Sequence, residues 1–401
     1  MVKIIISTIP MFVCAFWCIN LLLESKDRNK PKIFLAFFMF IACLLYLGHA
    51  AYFNRDYGFY SFWESIYLFC SLSVYPLYFL YIKLISKKNS LTLKDFWVLI
   101  PAFLMMVYSF FLYAKMSPAE HDFYTTQMLY DKNFTTYPGL SQILMLQLLK
   151  SKIFTALFLL EIIPVVYFGR KYILEYNRRI KNYYSNTEGK ILQHFNNLLY
   201  IFTGISLLSG IFDIIGKSVF VNSNYVLLIP SLLFGFFLFA IGYLGYKQDF
   251  TLETFIKDVK REEDKLVTHY KASVISNDYS EITKEKLMKE LIKLLKEEEI
   301  YKQSDLKITD ISRQLNTNRT YISRLVNEEL KTNFSDLVNC YRIEHAKKLL
   351  NGNDYRTHGL SLIGEMSGFK SNSSFYRIFK EKEGISPGDY RKKKCQECSD
   401  S

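Results

Sequence analysis

At 401 residues the chain is long enough for two or three domains. Half of it is hydrophobic, 17% is Phe, Trp or Tyr, and the formal net charge is +12, a balance that argues against one soluble globule and suits bilayer interfaces. Residues 1–246 carry 21 Lys/Arg against 12 Asp/Glu and residues 247–401 carry 29 against 26, so the positive excess belongs mainly to loops between apolar runs and is no sign of nucleic-acid binding.

Seven runs approach or reach the roughly 20 apolar residues that cross a hydrocarbon core as helix. They are Ile4–Leu23, Ile33–Phe53, Phe62–Ile82, Phe96–Tyr113, Ile153–Phe168, Phe195–Ile215 and Tyr225–Tyr246. Leu140–Leu149 either lengthens the fifth run or lies along the interface. Lys3 precedes the first run as in a signal peptide, but no small-residue cleavage pattern follows, and the basic cluster after the run suits an uncleaved anchor.

Charge in the short loops sets the expected orientation. Lys26, Arg28, Lys30 and Lys32 follow the first run. Lys83, Lys87, Lys88 and Lys94 follow the third, and Arg170, Lys171, Arg178, Arg179, Lys181 and Lys190 follow the fifth. These loops are expected to be cytoplasmic, and the loops holding only Arg55 or Lys217 to face outward. The N-terminus is then outside, and everything after the seventh run lies in the cytoplasm of a bacterium, beneath its inner membrane.

The long outer segment Lys115–Lys152 offers Tyr124, Tyr130, Phe134 and Tyr137 for stacking on a signal ligand, or is a partly ordered loop on the membrane. Acids in hydrocarbon are costly and are functional candidates by default. Glu161, three residues before Pro164, has either a ligand or proton role or an interhelical hydrogen bond. Asp213 has Lys217 one turn on, and Glu64, near a span end, is expected to reach headgroups.

After Tyr246 the composition turns charged. Leu252, Val259 and Leu266 at intervals of seven form a short seam over 252–266, either a homodimer contact or a plain amphipathic connector. Lys284–Glu299 has Leu287, Leu291, Leu294 and Leu295 on one helical face. The expected domains are a transmembrane sensor (1–246), a helical linker (247–283), a DNA-binding domain (284–394) and a tail (395–401).

Thr309 caps a short helix, Asn316 suits a left-handed turn, and Thr317 caps a second helix over Asn318–Glu329. Short helix, tight turn and second helix make a helix-turn-helix. Ile322, Leu325 and Val326 form its buried face, leaving Arg319, Thr320, Ser323 and Arg324 open. A long helix capped by Asn333 follows. Leu360–Ser367 then repeats the short helix, Gly368 ends it, and Ser371 caps a second candidate reader, Asn372–Lys382. Ile322, Arg324 and Leu325 return as Phe375, Arg377 and Ile378, each 53 residues on.

Asn327-Glu-Glu-Leu330, Tyr341-Arg342, Ala346-Lys-Lys-Leu-Leu350, Gly368-Phe369-Lys-Ser371, Phe379-Lys380, Gly384-Ile-Ser-Pro387 and Tyr390-Arg391 resemble the signature of AraC-type (AraC/XylS) regulators over Lys284–Lys393. The resemblance implies two reading helices held by a central linker helix, entering successive major grooves of double-stranded DNA. By position it gives base contacts to Thr320, Ser323, Arg324, Asn372, Ser373 and Arg377, and phosphate contacts to Arg319, Lys370 and Lys380. Lys331 stands where the family has a turn glycine, and Gly364 where it has alanine.

The seven cysteines form no framework, and Cys395-Gln-Glu-Cys398 lacks a second ligand pair, so neither metal nor cofactor is expected. No phosphate loop, kinase set, HExxH or serine elbow appears, which argues against an enzyme. The expected fold is all-α: a seven-helix transmembrane bundle, a helical linker and a cytoplasmic tandem helix-turn-helix. The expected function is a membrane-embedded transcription regulator acting on promoters, with RNA polymerase a candidate partner. The alternative is a transporter or channel with a regulatory helix-turn-helix module.

Overall fold

The computed structural model describes residues 2–24, 29–87, 91–129, 139–215, 224–269, 281–352 and 358–399, with the side chains of 205, 208, 212–215, 224–225, 263–269, 281–283 and 394–399 left out. Among these residues the secondary structure is helical throughout, with one isolated antiparallel bridge between Tyr184 and Lys307. The chain forms two compact units: 1–174 with 192–252, and 175–191 with 253–401.

The first unit holds α1 (Val2–Glu24), α2 (Lys30–Phe53), α3 (Tyr57–Ser86), α4 (Ile100–Lys115), α5 (Pro118–Phe123), most of α6 (Gln142–Lys181), α7 (Gln193–Ile215) and α8 (Asn224–Lys247). Local chemistry sets the starts. Asn29 accepts from the Lys32 N–H before α2, and Asp56 accepts from the Phe59 N–H before α3. Ser117 and Glu120 cap each other's backbone before α5, with Pro118 in its first turn. α1 packs on α2 and α8, α2 on α3, α3 on α4, and α7 on α8.

Six helices among the described residues are long and apolar enough to cross a membrane: Val2–Glu24, Lys30–Phe53, Tyr57–Ser86, Leu93–Lys115, Gln142–Lys181 and the stretch from Val226. Of the seven apolar runs in the sequence, the remaining one, Phe195–Ile215, falls on α7. Phe12, Phe103, Leu160, Ile163 and Phe236 are all more than half exposed, an outer surface that suits lipid better than water. Inside, Phe202 stacks between Tyr75 (4.6 Å) and Phe237 (4.7 Å). Gly242 lies so close to Trp17 that an added Cβ would sit 2.2 Å from the indole, the close helix approach that small residues permit in membranes.

The second unit contains α9 (Leu252–His269, joined from Glu253 on), α10 (Glu281–Lys296), α11 (Ile308–Gln314), α12 (Arg319–Arg324), α13 (Phe334–Asn351), α14 (Leu360–Met366), α15 (Asn372–Glu383) and α16 (Pro387–Ser399). Leu287, Leu291, Leu294 and Leu295 are buried on α10, the face their spacing predicts.

Residues 175–191, which the sequence reading counts with the membrane half, belong to this unit. Tyr183, Tyr184, Ser185, Asn186 and Thr187 are all buried. The Ser185 N–H donates to the Leu306 carbonyl and the Ile308 N–H to the Tyr183 carbonyl, each at 3.0 Å.

The helix proposed to pair two chains through 252–266 has Leu252 and Val259 buried in its own chain. Phe255 meets Tyr183 edge-on at 5.2 Å, and Asp258 accepts from the Tyr184 hydroxyl at 2.7 Å. An intramolecular aromatic pair thus covers part of this seam. The Leu266 side chain lies outside the described residues.

Candidate nucleic-acid interface

The first helix pair is α11 and α12. The cap of α11 is Lys307, two residues before the expected Thr309, because the Lys307 N–H donates to the Asp310 carboxylate at 2.8 Å and places the acid in the first turn. Asn316 takes the left-handed conformation (φ 47°) that its sequence position predicts. Asn318, one residue past the expected Thr317, caps α12 by accepting from the Thr320 N–H at 2.8 Å. A wide turn over Leu325–Glu329 continues α12, and Lys331 closes it at φ 52°. Ile311, Ile322, Leu325 and Val326 are fully buried, which fixes the opposite face outward.

On that outer face Thr320 and Arg324 are exposed and Ser323 is half-buried. Asn327 donates its amide to the Ser323 carbonyl (2.7 Å) and hydroxyl (3.1 Å), so the hydroxyl faces outward with one acceptor position already used. Arg319 is half-buried at the start of the helix.

The second pair is α14 and α15. Its core is Ile343, Ala346, Leu349, Leu350, Ile363, Phe369, Phe375 and Phe379. Two glycines make this packing possible. A Cβ on Gly364 would meet the Phe375 ring at 2.9 Å, so a glycine that weakens the isolated helix is what lets α15 approach α14. Gly368 has φ +90°, and a Cβ there would lie 2.6 Å from the Tyr301 carbonyl oxygen.

Ser371 caps α15 by accepting from the Ser374 N–H at 3.2 Å. Asn372, Ser373, Arg377 and Lys380 are exposed along the helix, and Lys370 just before it. Arg377 reaches Glu381 at 3.4 Å across open surface, a pairing worth little in water. Lys370 pairs with Asp305 at 2.8 Å. Burial alone would raise the Asp305 carboxyl, but the Lys370 hydrogen bond and charge outweigh it and hold it below its ordinary value.

α13 joins the pairs, and Arg342 on it is almost wholly buried. Its guanidinium donates to the Tyr301 carbonyl at 2.8 Å, the Gln303 carbonyl at 2.7 Å and the Ser185 hydroxyl at 3.1 Å. Desolvation lowers its pKa to about 10, still charged at neutral pH. The Tyr341-Arg342 signature residue is therefore a clamp on backbone.

Sequence reasoning missed what surrounds this clamp. Ser335 donates to the Ser185 carbonyl at 3.0 Å. On α9, Glu262 pairs with Lys307 (3.3 Å) and Arg313 (3.2 Å). Glu188 accepts from the hydroxyls of Ser371 and Ser373, the latter at 2.5 Å. The available signal was Glu188 itself, the one acid between Tyr176 and Ile191 in an otherwise basic connection.

Residues 311–393 match a helix-turn-helix domain family of the AraC type. This part of the chain is an AraC-type helix-turn-helix domain. Relatives align over the same region: the Bacillus subtilis uncharacterized HTH-type transcriptional regulators YtdP (36% identical over 92 residues, 23% of this chain and 12% of that protein) and YisR (33% over 85 residues, 21% and 29%). The Staphylococcus aureus HTH-type regulator SAS0078 is 31% identical over 93 residues, 23% of this chain and 12% of its own. The chain thus covers between about an eighth and under a third of these relatives, over its C-terminal region. No solved structure matches the chain. The domain and these relatives support DNA-binding transcription regulation.

Of the candidate sensing residues in the first unit, Tyr130 and the Asp213 side chain lie outside the described residues. Glu161 has a buried carboxylate oxygen with no hydrogen-bond partner. Tyr124 donates to Glu64 at 3.0 Å. Glu64 does not reach toward headgroups as expected: it is buried and paired with buried Lys150 at 3.0 Å, with Tyr113 as a further donor. A carboxylate removed from water needs such a partner, and Lys150 on α6 supplies it. A cavity of about 70 Å³ beside this pair is lined by Tyr52, Tyr60, Tyr67, Tyr124 and Gln147.

Proposed function

We propose that the chain is a transcription regulator embedded in a bacterial inner membrane, binding promoter DNA through two helix-turn-helix units in response to a signal met by its membrane unit. The observation that carries this reading is the repetition of one arrangement. Each short helix holds a second helix by a fully buried apolar face, leaving Thr320, Ser323 and Arg324 on α12 and Asn372, Ser373 and Arg377 on α15 facing outward. Arginine grips guanine O6 and N7 bidentately, while serine, threonine and asparagine take single acceptors, methyls or adenine. Arg319, Lys370 and Lys380 at the flanks suit phosphates, which position the reader without specifying sequence.

Seven spans, counting α7, put the N-terminus outside and the AraC-type domain in the cytoplasm, where DNA is. The Glu64–Lys150–Tyr124 cluster with its cavity, and the unpartnered Glu161 oxygen, are the proposed sensing elements, because buried ionisable groups in hydrocarbon are costly unless they have a task.

The test is made in cells. DNA is cross-linked, the membrane fraction is isolated, and the fragments held by the tagged full-length chain are sequenced. Promoter fragments should be enriched in membranes for the wild-type chain and lost in the Arg324→Ala/Arg377→Ala double variant. Equal recovery from wild type and double variant would overturn the reading.

A further inference from the structure

We propose that the connection between α6 and α7 is an autoinhibitory clasp, in which Glu188 occupies the DNA-reading end of α15 and must leave before that helix can enter a groove. The inference rests on the DNA-reading assignment of α15 and adds its regulation.

Three observations meet here. First, the connection is built into the second unit by more than surface contact: five consecutive residues, Tyr183 to Thr187, are buried, their backbone pairs with Leu306 and Ile308, and the Arg342 guanidinium holds Ser185. The segment just before Glu188 is therefore anchored. Second, its carboxylate meets the first turn of α15, where it accepts from Ser371 and Ser373. Ser371 accepts the Ser374 N–H while giving its own proton to Glu188, so the acid completes a cap at the positive end of a twelve-residue helix. Third, the same end is the one a reading helix presents to DNA, with its N-terminal residues toward base edges and phosphates. A carboxylate there offers the same two-oxygen acceptor that a phosphate would bring, and it covers the hydroxyl of Ser373, an assigned base contact. Clasp and DNA compete for one set of donors.

The carboxylate is suited to that place. Burial would raise its pKa, but the two serine hydroxyls and the charges of Arg377 and Lys190 outweigh this and hold it below the ordinary value. The connection is also continuous in the chain with α6 and α7, two of the predicted spans. A signal that changes the separation of those helix ends acts directly on the segment that carries Glu188.

The test uses the full-length chain in lipid nanodiscs and a labelled random-sequence 40-base-pair duplex pool, with affinity measured at about 50 and 200 mM salt. Glu188→Gln keeps size but removes the charge, and Glu188→Lys reverses it. Glu285→Gln, an exposed acid on α10, controls for the general effect of removing one negative charge. If the clasp is closed in about nine molecules of ten, its removal tightens apparent binding on the order of tenfold. Glu188→Gln should show that gain, Glu188→Lys at least as much, and Glu285→Gln under about twofold. Wild type binding as tightly as Glu188→Gln, or Glu285→Gln gaining as much, overturns the clasp and leaves the DNA-reading assignment standing. Failure of every variant to bind DNA overturns both.

Discussion

Replacing Arg342 by Met tests the joint that holds the second unit together. The guanidinium makes two short bonds to backbone carbonyls, at 2.8 Å to Tyr301 and 2.7 Å to Gln303, and a longer one to the Ser185 hydroxyl. Hydrogen bonds to a charged group contribute about 1.5–3 kcal/mol each. Arg342 forms no salt bridge among the described residues, and removing its charge returns part of its desolvation cost. Methionine refills most of the volume but satisfies neither carbonyl. The expected net loss is about 3 kcal/mol, on the order of a hundredfold in the local opening constant. Hydrogen exchange on the full-length chain reads it at the Ser185 and Ile308 amides, whose N–H groups bond to the Leu306 and Tyr183 carbonyls. Protection at both should fall about a hundredfold, with Arg342→Lys recovering only part, since one ammonium cannot span three acceptors. A fall under about threefold in Arg342→Met would refute the assignment of Arg342 as a clamp.

Four further outcomes are expected. Gly368→Ala should destabilise the second unit by about 3 kcal/mol or more, seen as a lower unfolding midpoint, because a Cβ is opposed by both φ +90° and the Tyr301 carbonyl at 2.6 Å. Gly364→Ala gains about 1 kcal/mol of helix propensity but meets the Phe375 ring at 2.9 Å; the sum should be destabilising, and Phe375→Leu in the same chain should lessen the loss. Lys380→Ala should weaken DNA binding evenly across sequences and reduce the salt slope by about 1, whereas Arg324→Ala should cost about 1–3 kcal/mol on its preferred site and relax one position of it. Burial, then the charge of Lys302, lower the His345 pKa, so the folded state favours the neutral ring. That contribution is complete above the ordinary histidine value and is lost as pH falls through the lowered one; His345→Gln should flatten this part of the stability curve in thermal melts between about pH 7 and pH 5.

Much of the reader was legible because its determinants are local. Asn316 announces a left-handed turn by its residue type, Ser371 and Asn333 are short polar residues before apolar periodicity, and Ile322, Leu325 and Val326 recur at helical spacing; the turn at Lys331 was implied only by the family resemblance. The start of α11 moved two residues earlier because the Asp310 carboxylate takes the Lys307 N–H, and the cap of α12 moved one residue later because Asn318, next to Thr317, accepts from the Thr320 N–H. What stayed hidden depends on contacts distant in sequence. Ser185 and Arg342 are 157 residues apart, and nothing in either neighbourhood marks the other. Gly364 read only as a departure from the family's alanine because its partner Phe375 comes from the next helix. Glu64 read as an interfacial acid because Lys150, its counter-charge, stands 86 residues later at the edge of an apolar run. The 252–266 seam stayed open between a dimer contact and a plain connector because periodicity shows that a face is apolar without saying which surface covers it.

The most direct test of a membrane-tethered double reader is a hydroxyl-radical footprint of the full-length chain in nanodiscs on a promoter fragment recovered from cells. Two protected windows about one helical turn apart on one face of the duplex are expected, the first lost in Arg324→Ala and the second in Arg377→Ala. A single window unaffected by Arg377→Ala, or uniform protection with no window, would contradict the account.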